Sequence, residues 1–80
     1  MKIEISTPTK SIPAQEVSQV LIPTEKGEAM ILPGHATMIT RLGAGTLSFQ
    51  SKNETKSFEI TGGTAEIEND HIIVACDSIQ

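Results

Sequence analysis

The feature that most constrains this chain is the rhythm of its chain-breaking residues. Glycine, proline, asparagine or aspartate recurs at short intervals from Pro8 to Asp77, and the segments between them alternate polar with apolar side chains. Segments of that length hold a β-strand but not a stable helix, and a period of two puts one face of each strand in a core and the other in water. No stretch of the sequence carries a convincing helical period, so the expectation is an all-β fold of short antiparallel strands forming a flattened sandwich or barrel. The 80 residues read as one domain, with no internal repeat and no linker.

The strands are legible one by one. Lys2 to Ser6 presents Ile3 and Ile5 to one side, and Pro8 and Pro13 bracket the connection that follows. Val17 to Ile22 is a second apolar strand that Pro23 is expected to terminate, because proline lacks an N–H and restricts the residue before it. Thr24 to Gly27 reads as a turn, Ala29 to Leu32 as a short strand closed by Pro33-Gly34, and Ala36 to Leu42 as another, broken at Gly43-Ala44-Gly45. Leu47 and Phe49 pair with Phe58 and Ile60 across a bend from Ser51 to Lys56, which sets both phenylalanines on one face. Ala65 and Ile67 lead to Asn69-Asp70, a pair that tolerates the positive φ of a type I′ turn. The returning segment His71 to Cys76 contains Ile72-Ile73-Val74, apolar on both faces, and is expected to lie more centrally than its neighbour.

Composition narrows the function. With no Trp or Tyr and only Phe49 and Phe58 as aromatics, the core is built from aliphatic residues and no stacking platform remains for bases. A formal charge of −4 gives no basic footprint, so nucleic acid is not an expected partner. No apolar run approaches the ~20 residues needed to span a bilayer, so no direct membrane insertion is expected. A single cysteine, Cys76, forms no internal disulfide, and the alternating N-terminus does not read as a signal peptide, which together fit a reducing, cytosolic setting.

The stock of reactive groups is small. His35 and His71 stand far apart and form no metal-ligand pairing with each other or with Cys76, so no metal and no cofactor are expected, and both histidines read as surface or rim residues. Cys76 continues a hydrophobic strand and reads as a buried, inert thiol rather than a nucleophile. Gly43-Ala44-Gly45 and Gly62-Gly63 do not lie between a strand and a helix, as a phosphate-cradling loop requires. Lys52, at a hairpin tip, lacks the apolar flanks of a lipoyl or biotin carrier and reads as a solvated turn residue.

The stretch Leu21 to Leu47, with Pro33-Gly34-His35-Ala36 at its centre, resembles the signature of the epsilon subunit of F-type ATP synthases, called delta in mitochondria. A second block, Gly62-Gly63-Thr64-Ala65-Glu66-Ile67 followed by Asn69 and Ile72 to Asp77, is similar to the family's closing pattern, and Ile3 to Pro8 fits its opening. The resemblance implies a ten-stranded β-sandwich at the foot of the central stalk, a non-catalytic rotor subunit that binds the gamma subunit and the c-ring and couples ion translocation to ATP synthesis. By motif position Glu28 and Met30 would face the c-ring, while His35, Thr40 and Thr7 would face gamma. The implied location is peripheral, on the cytoplasmic face of a bacterial inner membrane or a thylakoid-type membrane, and homo-oligomers are not expected. Most members continue into a two-helix hairpin that restrains ATP hydrolysis, and since the sequence ends at Gln80, coupling without that brake is the expectation. Ala29-Met30 stands where the family usually has an apolar residue and Gly, and Ile12-Pro13-Ala14 replaces a more typical Phe-Ser-Gly, so the Met30 loop is expected to meet the ring differently. The alternative is a free-standing β-sandwich binding module; a small enzyme using His35 is the third reading.

Overall fold

The computed structural model describes residues 1–80. Nine strands form: β1 (Lys2–Ser6), β2 (Ser11–Glu16), β3 (Gln19–Thr24), β4 (Gly27–Ile31), β5 (Met38–Leu42), β6 (Gly45–Ser51), β7 (Glu54–Ile60), β8 (Gly63–Glu68) and β9 (His71–Cys76). There is no helix, as the missing helical period requires. The strand order is β2-β1-β9-β8-β5-β3-β6-β7, with β4 on β3. A single residue pair, Thr24 with Leu42, joins β3 to β5. That corner folds the sheet over itself, so β2-β1-β9-β8-β5 faces β4-β3-β6-β7 in a flattened half-barrel.

The period-two pattern dictates what lies between the layers. Ile3, Ile5, Leu42, Ala65, Ile67, Ile72, Val74 and Cys76 enter from the first layer, and Val20, Ile22, Ile31, Leu47, Phe49 and Ile60 from the second. Each fully buried aliphatic side chain contributes roughly 1.5–3 kcal/mol of transfer free energy. The hairpin expectation for the phenylalanines holds: Leu47 pairs with Phe58, and the Phe49 and Phe58 rings stack with centroids 6.0 Å apart.

Four features depart from the sequence reading. The strands number nine rather than ten, and where a tenth would lie on β7 there is one isolated antiparallel bridge, Ile60 with Ile79. Pairing is not all antiparallel, because β1 and β9 run parallel from Lys2 opposite His71 to Ser6 opposite Ala75. This seam joins the two ends of the chain directly. The third departure is Pro23, which does not end its strand; β3 continues to Thr24, with Pro23 opposite Glu28. The Pro23 carbonyl accepts from the Gly43 N–H at 2.8 Å on the side away from β4. Its nitrogen faces that same side, so the β3–β4 ladder loses no bond. The fourth is β2, read as a connection. Pro13 is tolerated there because β2 is an edge strand and because Pro13 and Ala14 bulge opposite Glu4, with Ile3 facing Gln15 and Ile5 facing Ile12.

The turns follow their chemistry. Asn69 and Asp70 have φ of 50° and 60°, as a type I′ turn demands. The β6–β7 bend is tighter than expected, with Ser51 already paired to Glu54. Strand β9 lies between β1 and β8, yet β8 is equally interior, between β9 and β5. Ile73, on the outer face of β9, stays 39% exposed, so apolarity on both faces here did not mark burial on both. Gly63 is the glycine with least room: a Cβ there would lie 2.1 Å from the Ala75 carbonyl oxygen and 2.6 Å from the Cys76 Cα.

Candidate interaction surfaces

The Pro33-Gly34-His35 segment is built as a type II turn. The His35 N–H donates to the Leu32 carbonyl at 3.1 Å, and Gly34, at the third turn position, has φ +85°, which favours glycine. The Gly34 N–H also donates to Asp70 Oδ1 at 2.7 Å. That bond ties the turn to the β8–β9 hairpin, whose Asp70 carbonyl in turn accepts from the Lys2 N–H at 2.9 Å. Three segments distant in sequence thus fix one end of the fold. His35 is half-buried there, with Nδ1 2.7 Å from the Ala36 carbonyl oxygen. A carbonyl oxygen can only accept, so Nδ1 is the donor in this contact, and Nε2 is not engaged by it.

Glu28 and Met30 share the outer side of β4, alternating with the core-directed Ala29 and Ile31. Glu28 is exposed and Met30 is 46% exposed, beside Leu21 on β3, its partner in register. Thr40 lies opposite the buried Ala65 on the core-directed side of β5, half-buried, and its hydroxyl donates to the Arg41 carbonyl at 3.4 Å. Thr7 organises its own loop, since its Oγ1 accepts from the N–H groups of Lys10 at 2.9 Å and Thr9 at 3.3 Å.

These five residues do not converge on a single spot. Thr7 follows the C-terminal end of β1, while the Asp70–His35 cluster abuts its start, about 17 Å away at ~3.3 Å per residue. Glu28 and Met30 sit on the opposite layer. The geometry suits a small body touched on more than one side, not a cleft around a reacting atom.

Cys76 is 4% exposed, and its Sγ lies 3.7 Å from the Ser6 carbonyl oxygen. Burial pushes its thiol pKa up, the Asp77 carboxylate adds to the rise, and a backbone hydrogen bond opposes it. No group of three or more His, Cys, Asp or Glu residues is arranged to hold a metal ion.

Sequence reading missed the accessible apolar residues of the outer faces. Ile39 is 75% exposed, Leu32 50% and Ile73 39%. Strand phase holds the signal for the first: Met38, Thr40 and Leu42 share the core side of β5, which turns Ile39 outward.

Residues 1–80 match the family model for the β-sandwich domain of the ATP synthase delta/epsilon chain. The chain belongs to that family. An ATP synthase epsilon chain of Prochlorococcus marinus (strain AS9601) is 31% identical over 80 residues, all of this chain and 60% of that protein. One from Dehalococcoides mccartyi (strain CBDB1) is 36% identical over 80 residues, 57% of its length. The chain therefore spans somewhat over half the length of these relatives, the part that is the sandwich. The fold also matches a chain in the structure of the Euglena gracilis mitochondrial ATP synthase OSCP/F1/c-ring, with TM-score 0.89 at 22% identity over 98% of this chain and 51% of that one. A chain from the Tetrahymena thermophila mitochondrial ATP synthase central stalk and c-ring matches with TM-score 0.85 at 17% identity, covering 99% of this chain and 64% of that one. The delta/epsilon sandwich is thus present from β1 through β9, and the motif around Pro33-Gly34-His35-Ala36 is the clamped turn at its end.

Proposed function

We propose that this domain is a non-catalytic rotor element of an F1Fo ATP synthase, seated between the gamma subunit and the c-ring and coupling ion translocation to ATP synthesis. It works peripherally on the cytoplasmic face of a bacterial inner or thylakoid-type membrane. Glu28 and Met30 face the polar loops of the ring, and His35, Thr40 and Thr7 lie toward gamma. The observation that carries the reading is the clamped turn: the 2.7 Å Gly34–Asp70 bond holds His35 at a rigid rim, joined to the first strand through Lys2. A rim fixed by three segments transmits torque without reordering a loop, which would cost roughly 1–2 kcal/mol per residue ordered. No catalytic step is assigned to it.

Single-cysteine cross-linking tests the arrangement, because buried Cys76 gives a quiet background. In the assembled synthase, His35→Cys is expected to cross-link to gamma and Glu28→Cys to the ring, while Lys52→Cys at the β6–β7 bend gives neither. A reversed pattern, or products from Lys52→Cys alone, would sink the assignment.

A further inference from the structure

We draw no further inference here: the strongest candidate, the polar depression at the β3–β5 corner where Glu25, Arg41 and Asp77 line one rim, is a cluster of exposed side chains with nothing in the structure that points to a ligand.

Discussion

The two layers of this sandwich are stabilised differently. In β2-β1-β9-β8-β5 the ladder is continuous, and its centre is the parallel seam that joins the first and last strands. Its side chains are medium-sized aliphatics, and at Gly63 its backbones approach too closely to admit a Cβ. The β4-β3-β6-β7 layer instead holds both phenylalanines, and β7 has on its free side only the chain's last residues, through the Ile60–Ile79 bridge and the backbone bonds that Glu59 and Gln80 exchange. One layer depends on close backbone approach, and the other on ring volume. A substitution that adds atoms should therefore harm the first layer most, and one that removes them should harm the second.

The sharpest test of that contrast is Gly63→Ala. The added Cβ meets main-chain atoms, which do not yield as a flexible side chain does, and φ is +142°. Denaturant unfolding is expected to show a loss of about 3 kcal/mol or more, or no folded protein at all. A loss below about 1 kcal/mol would mean that the close β8–β9 approach is plastic and the contrast mistaken.

Removing volume gives the next largest effect. Phe49 is 2% exposed and fully within the core, so Phe49→Ala should cost about 3–5 kcal/mol. Phe58 is only partly buried against that core, and its truncation should cost less than half as much. Equal losses would show that the stacked pair acts as a unit across the edge strand.

The smallest effect concerns Cys76, on the first layer. Its folded-state pKa is raised, so the unfolded chain gives up the thiol proton more easily than the folded one. The sign is then fixed: this contribution is complete below the ordinary thiol range near pH 8.5 and is lost as pH rises through it. Cys76→Ala should abolish that part of the alkaline decline, as melting curves from pH 7 to 10 would reveal. Native protein should also resist a maleimide at pH 7 until denaturant is added, and rapid labelling without denaturant would show that the first layer opens locally.

Much of this fold was legible because its signals are local. Alternation at Ile3 and Ile5, at Leu47 and Phe49, and at Ala65 and Ile67 is a property of single strands, and Asn69-Asp70 specifies its turn unaided. Pairing between strands is not local. Nothing in Lys2 to Ser6 says that it runs parallel to His71–Cys76, and nothing near Pro23 says that its nitrogen faces a corner with no ladder to break. The candidate site divides in the same way. Pro33-Gly34 announced a turn, but its clamp comes from Asp70, 36 residues away. Ile73 read as part of a run apolar on both faces and Ile39 went unremarked within its strand, and only strand phase shows both turned outward.

The central claim, that this domain joins two rotor components, is tested most directly by co-sedimentation with a gamma–c-ring subcomplex from which the native subunit has been removed. The account predicts stoichiometric recovery with the complex, reduced by Asp70→Ala, which releases the turn holding His35. A wild-type domain that remains in the supernatant, at concentrations where the native subunit binds, would contradict it.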